Sequence, residues 1–221
     1  MRRRYINGQN SNSQSLTPLY IEPKNGNVRF KCSTNVEYRT CNTDWVSLPS
    51  NTYSPTFSVG QVVSIQGNNS SGGCTFTFSG SCSVGGDPRS LLYKQQLYDG
   101  CFKELFKGCS TILDVSKINL PAKILYNNCY YSMFEGCTSI TKAPELPATS
   151  LAFRCYMRMF YGCTRLKYVE IKALDISPID CLHSWMYGVP SGGKIVMNKD
   201  ANWKSVVGAS GRPSGWTVTY E

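Results

Sequence analysis

CYYSMFEGC, Cys129–Cys137, is written four times along this chain. The other copies are CFKELFKGC at Cys101–Cys109, CYMRMFYGC at Cys155–Cys163 and a worn version, CLHSWMYGV, at Cys181–Val189. Their opening cysteines, Cys101, Cys129, Cys155 and Cys181, lie 28, 26 and 26 residues apart. The shared positions are the opening Cys, an apolar pair at offsets 4 and 5 (ending in Phe106, Phe134 and Phe160), a Gly at offset 7 (Gly108, Gly136, Gly162, Gly188) and Cys109, Cys137, Cys163 or Val189 at offset 8. Self-similarity at this period marks a solenoid, whose units cannot bury an apolar face alone and must stack.

Within one copy the apolar residues fall at offsets 0, 4, 5 and 8, which is helical spacing on one face. The spacing predicts a short helix in each copy, ended by the Gly, which takes a left-handed conformation without penalty. Runs with strand-like alternation follow: Thr111–Val115, Ser139–Thr141 and Arg165–Ile171. Each unit then reads as a short helix, a turn, a short strand and a return loop carrying Pro121, Pro147 or Pro178. Stacking would set the strands side by side, with the helices on the opposite face.

The phrases around these copies resemble the BspA-type leucine-rich repeat of gut and oral Bacteroidetes and their phages. The likeness is carried by MFEGCT at Met133–Thr138, APELPAT at Ala143–Thr149 and MFYGCT at Met159–Thr164. It extends over roughly Leu97 to Glu221, and the segment from Trp185 to Trp216–Thr219 is similar to the closing cap of that family. The first copy departs from the pattern, with SKINLPAKIL at Ser116–Leu125 where a match to APELPATSL is expected. The resemblance implies a repeat surface used for attachment. It also implies that a β-module precedes the repeats.

Length allows one medium domain or two small ones. No run of apolar residues is long enough to span a membrane. MRRRYINGQNSNSQSLTPL has a basic start with no apolar stretch behind it, so a polar arm is expected over 1–16 instead of a secretory signal. From Thr17 to Tyr93 short strand-like runs alternate with turn clusters: Tyr20–Glu22, Val28–Cys32, Val36–Thr40, Trp45–Leu48, Val59–Gln66, Cys74–Phe78 and Ser81–Val84. That rhythm predicts a small β-sandwich-like module anchored by Trp45, Phe57 and Phe76, with Leu91, Leu92 and Tyr93 packing on the first repeat. The fold class is α+β: arm 1–16, β-rich module 17–93, repeat array 94–188 and C-terminal cap 189–221.

Of the 11 cysteines, those in the repeats are spaced by eight and about eighteen, unlike zinc ligands. A bridge within one copy fails too, since eight helical residues span about 12 Å against a limit of about 7 Å between bridged Cα atoms. Buried, stacked thiols are the expectation, and Val189 fits such a slot. Cys32–Cys41 and Cys74–Cys82 are left as pairs that could bridge strands.

The formal charge is +9, but the repeat cations are dispersed and no nucleic-acid module is recognisable. A solvated face is expected, or one that steers towards an acidic partner. One histidine, His183, sits beside Trp185 in the worn copy, and Asp175 and Asp180 flank Pro178, with Asp180 a candidate N-cap. GxSxG and Gly-rich phosphate loops are absent. No enzymatic activity, metal or cofactor is expected.

Tyr130, Tyr131, Tyr156, Tyr161, Tyr168 and Tyr187 recur beside the buried set and are the candidate binding residues, amphipathic area held at low entropy cost. Alternatively they line the grooves between neighbouring units. Arg2, Arg3, Arg4 and Tyr5 are the candidate anchor to other virion or surface proteins, and a homo-oligomer is expected. The expected role is a structural or binding component of a phage virion (a capsid or tail decoration, or a fibre) that meets a host glycan or protein. The alternative is a bacterial cell-surface adhesion protein.

Overall fold

The computed structural model describes residues 16–41, 43–70 and 73–221. Twelve strands run through them: β1 Leu19–Pro23, β2 Phe30–Cys32, β3 Val36–Thr40, β4 Val46–Leu48, β5 Val63–Gly67, β6 Phe76–Phe78, β7 Cys82–Gly86, β8 Ile112–Ile118, β9 Lys142–Leu146, β10 Tyr168–Ile171, β11 Lys194–Met197 and β12 Thr217–Tyr220. The only helical pieces among the described residues are two short 3-10 turns, Pro88–Leu91 and Tyr93–Gln95. The chain is therefore mostly β, in a β-solenoid-like arrangement of about five turns.

The four Cys-opened segments are not helices, which corrects the α half of the expected fold class. They are successions of tight turns with alternating backbone hand. In the first, Phe102 and Glu104 take φ of 60° and 58°, and Gly108 takes 74°. Every second N–H bonds three residues back: Lys103 to Gly100, Leu105 to Phe102, Lys107 to Glu104, and Cys109 to Phe106. The alternate N–H groups reach the next coil: Glu104 to Tyr131 (2.8 Å), Phe106 to Met133 (2.9 Å) and Gly108 to Glu135 (2.7 Å). An α-helix would satisfy its own backbone; this ribbon leaves half its donors to its neighbour. Left-handed conformations cost non-Gly residues about 1–2 kcal/mol each, and the inter-coil bonds offset that cost.

This geometry buries residues in adjacent pairs every four positions. In the second copy Cys129, Tyr130, Met133, Phe134 and Cys137 are all buried. Stacked coils turn those positions into columns. Phe106, Phe134 and Phe160 lie 5.7 and 5.6 Å apart in near-parallel stacks, and Trp185 closes the column 6.4 Å from Phe160. Phe102, Tyr130 and Tyr156 form a second column at 5.6 and 5.9 Å. The glycines stack as well: a Cβ on Gly136 would meet the Gly108 Cα at 3.6 Å.

The closing cysteines do more than fill space. The thiols of Cys109, Cys137 and Cys163 each donate, at 3.1 Å, to the carbonyl of the aromatic residue one coil earlier: Phe76, Phe106 and Phe134. Burial pushes the Cys109 and Cys163 thiols up to about 12, so they stay protonated donors at neutral pH. Val189 fills the slot without that bond.

Strands β9 to β12 form a parallel sheet, and β8 lies alongside β9. The strand expected at Ser139–Thr141 forms instead over Lys142–Leu146, within the APELP phrase. Pro144, which has no N–H, is accommodated by a register slip: Lys142 to Glu145 spans three residues where Tyr168 to Glu170 spans two.

Strands β4, β3, β5, β1 and β7 are antiparallel neighbours, and β8 joins them in parallel with β7. Strands β2 and β6 pair separately. Of the expected anchors, Phe57 and Phe76 are buried, but Trp45 is half-buried under the Arg39 guanidinium at 4.6 Å. Phe30 takes its place, ringed by Tyr38, Phe57, Phe76 and Phe78. Leu91 and Leu92 join the core, whereas Tyr93 is exposed beneath Lys94. Phe76 stacks on Phe106 at 5.8 Å, and its N–H bonds the Leu105 carbonyl at 2.8 Å. β6 and β7 thus act as a coil beneath the first repeat.

At the other end three indoles tie the last loops down. Trp185 donates to the Gly211 carbonyl (2.6 Å), Trp203 to Ala173 (3.0 Å) and Trp216 to Pro190 (2.9 Å). All 11 cysteines are free. Cys41 is exposed, and Cys32 shares a hydrogen bond with Cys74 instead of pairing with Cys41.

Candidate binding surfaces

The six candidate tyrosines separate into three environments. Tyr130 and Tyr156, expected at the surface, are 1% and 0% exposed and belong to the core. The sequence reading took offset 1 for an outward position; in a four-residue turn period it is the second member of the buried pair. The buried Tyr156 hydroxyl has no hydrogen-bond partner, and burial raises it well above the ordinary tyrosine range.

Tyr131, Tyr161 and Tyr187 lie on the turn face. Tyr161 and Tyr187 stack at 5.1 Å with 17° between their planes, and the Arg158 guanidinium sits over Tyr161 at 4.1 Å. Lys103 lies over Tyr131 at 5.2 Å. Rigid registry produces these contacts: Arg158 N–H bonds the His183 carbonyl and Gly162 N–H the Tyr187 carbonyl, which fixes the spacing of the coils beneath the rings. Cations over aromatic faces contribute roughly 0.5–1 kcal/mol at exposed sites.

Arg158 also forks onto Glu135, Nε to Oε2 at 3.0 Å and Nη2 to Oε1 at 2.8 Å. Partial burial opposes ionisation of Glu135, but the Arg158 fork, helped by Lys107, holds its carboxyl below the ordinary 4.5. Because the folded value is depressed, the stabilisation is complete above the unfolded value and is lost as pH falls through the folded one. Melting temperature measured between about pH 6 and pH 3 should fall less steeply in Glu135→Gln than in the parent.

Beside Tyr187 a cavity of about 370 Å³ is lined by Met186, Val189, Gly208, Ala209 and Pro213, with Ser191 and Ser214 at its polar side. Tyr187 itself is 58% exposed. An aromatic platform, a fixed cation and an adjoining apolar hollow therefore meet at the C-terminal end of the turn face. The cavity was invisible in the sequence, because its wall comes from loops 186–191 and 208–214, which have no repeat pattern.

Tyr168 points elsewhere, onto the strand face. Lys142 lies over its ring at 4.9 Å, and its hydroxyl donates to Glu170 at 3.4 Å. Next to it Lys172 bridges Glu170 (2.7 Å) and Glu221 (3.1 Å). The repeat cations are largely engaged in this way, with Lys107 on Glu104 (2.8 Å) and Arg154 on Asp180 (3.1 Å) as further cases.

Asp180 is not an N-cap: it takes φ of 56° in a turn, and its carboxylate holds Arg154. Asp175 accepts from the Ser177 hydroxyl and the Asn202 amide, which lower its carboxyl below the ordinary range. His183 is exposed on the turn face. Among the described residues no group of three His, Cys, Asp or Glu side chains converges to hold a metal, and no helix is long and apolar enough to cross a membrane. Arg2, Arg3, Arg4 and Tyr5 lie outside the described residues. Compared with known proteins, the chain matches no family model, no curated protein and no solved structure.

Proposed function

We propose that this chain is a non-enzymatic attachment protein. Its solenoid presents the Arg158–Tyr161–Tyr187 edge and the adjoining cavity to a host glycan or protein. The observation that carries this reading is the Tyr161–Tyr187 stack at 5.1 Å, set on a hydrogen-bonded ladder and opening onto a hollow. Aromatic anchors of this kind, fixed before the ligand arrives, lose little entropy on binding.

The BspA-type phrases support reading the coils as leucine-rich repeats, the N-terminal strands as a β-sandwich-like module and the last loops as a cap. The same resemblance supports placing the protein in a phage virion, as a capsid or tail decoration or a fibre, in a homo-oligomer fastened to other virion proteins through the arm. These attributions rest on analogy of sequence phrases. Mass spectrometry of purified virions against host outer-membrane fractions tests them; recovery from the membrane fraction alone would favour a cell-surface adhesion protein.

Binding to host cells or to an array of their glycans tests the surface itself. Tyr187→Ala should weaken binding at least about tenfold, the scale of a lost aromatic anchor, with the melting temperature nearly unchanged. Equal binding by Tyr187→Ala and the parent would remove the Tyr161–Tyr187 edge from consideration.

A further inference from the structure

The seam between the first two coils differs from the later ones. Cys101 and Cys129 are 28 residues apart, whereas the following openings are 26 apart. The extra length changes the ladder: Tyr130 N–H bonds backward to the Cys101 carbonyl at 3.2 Å, while Tyr156 N–H bonds forward to Cys181 at 3.0 Å. At this seam the sulfurs of Cys101 and Cys129 meet at 2.9 Å, both fully buried. A covalent S–S bond is about 2.05 Å long and suits Cα atoms about 4.4–6.8 Å apart. Hydrogen-bonded neighbours in a ladder are about 4.7–4.9 Å apart. The two sulfurs therefore need to approach by less than about 1 Å, with no change of backbone course.

We propose that Cys101 and Cys129 are an oxidisable dithiol that closes into a disulfide between coils when the protein meets hydrogen peroxide. The roles of the two sulfurs are unequal. The hydrogen bond from Cys129 lowers the Cys101 thiol despite burial, while burial raises Cys129, so Cys101 supplies the first thiolate. That thiolate attacks one peroxide oxygen. An S–O bond forms, the O–O bond breaks, and hydroxide leaves and takes a proton to become water. The Cys129 sulfur then attacks the Cys101 sulfenic acid. The S–S bond forms, the S–O bond breaks, and the departing hydroxide takes the Cys129 proton as a second water. Two thiols and one peroxide give one disulfide and two waters; the two electrons pass from sulfur to oxygen. Peroxide is small enough to enter through local opening, which a bulky disulfide reagent is not.

The consequence is a covalent staple between the first two coils of the repeat array. The test uses the full chain carrying Cys41→Ser, which removes the exposed thiol. After reduction and then peroxide treatment, non-reducing peptide mapping should find the Cys101–Cys129 cross-link and an intact mass lower by about 2 Da. Two fewer thiols should titrate in denaturant, and the melting temperature should rise by several degrees, reversed by dithiothreitol. Cys129→Ala, a small apolar replacement, should fold with an unchanged circular dichroism spectrum and lose the cross-link and the temperature rise. Peroxide that leaves both thiols alkylatable in denaturant would overturn the proposal. So would conversion of Cys101 to a sulfinic acid with no cross-link, or a cross-link that joins either cysteine to a different partner.

Discussion

Phe134→Ala is expected to remove about 3–5 kcal/mol of folding free energy, a large part of the roughly 5–15 kcal/mol that holds a domain of ordinary stability together. Phe134 is fully buried at the middle of the aromatic column, 5.7 Å from Phe106 and 5.6 Å from Phe160. Truncation deletes the ring's transfer energy and leaves a hole that the coils cannot close. Their separation is fixed by the Phe106-to-Met133 and Phe134-to-Met159 backbone bonds. Two stacking contacts, each worth roughly 0.5–1.5 kcal/mol beyond burial, are lost as well. Urea denaturation of parent and variant measures the difference, and a loss below about 1 kcal/mol would show that the column relaxes freely. Phe134→Leu, which keeps most of the volume, should cost clearly less.

Gly86→Ala is expected to cost on the order of 4 kcal/mol, from left-handed strain and overpacking together. Gly86 holds φ at +83°, and an added Cβ would overlap the Pro18 carbonyl oxygen, 2.8 Å from its carbon and 3.1 Å from the Leu19 Cα. Backbone cannot swing aside as a side chain can. The position matters further because β7 pairs β1 on one side and β8 on the other, so a displaced Gly86 pulls the N-terminal strands away from the repeats. Gly26 supplies the control: its φ is +96° with nothing within 4 Å of an added Cβ. Gly26→Ala should show the conformational cost alone, about 1 kcal/mol. Equal losses at the two sites would mean that the close approach at Gly86 contributes nothing.

The repeat register was legible because its markers are chemically exacting. Gly recurs at a left-handed position that costs it nothing, and Cys combines small volume with a donor. The N-terminal strands were legible too, within a residue or two at Leu19–Pro23 and Val36–Thr40, through alternation and punctuation. The turns were misread as helices because nine residues are too few to separate a period of 3.6 from one of 4. Offsets 0, 4, 5 and 8 satisfy both. So does offset 1, where Phe102, Tyr130, Tyr156 and Leu182 are all buried. At about 100° per residue, offset 1 falls within the arc of roughly 140° that the other four span on a helix. The candidate binding set nonetheless put Tyr130 and Tyr156, two of its six tyrosines, on the surface, and both are buried. Tyr161 and Tyr187, at offset 6 of their copies, lie on the turn face, but their stacking depends on the coil spacing, which no single copy encodes.

Alternate-hand turns that lend half their N–H groups to the following coil impose a rule of growth. A coil can be added or deleted only whole, since a partial one strands donors on both sides, and the final coil must hand its contacts to something that is not a coil. The tryptophan-tied loops meet that requirement here, and at the beginning β6 and β7 make the first coil, which β1 joins to the antiparallel strands. The array therefore changes length in discrete steps of one repeat, like a ruler extended by inserting links between two fixed end-pieces, and the reach of its surface is set by how many links it holds.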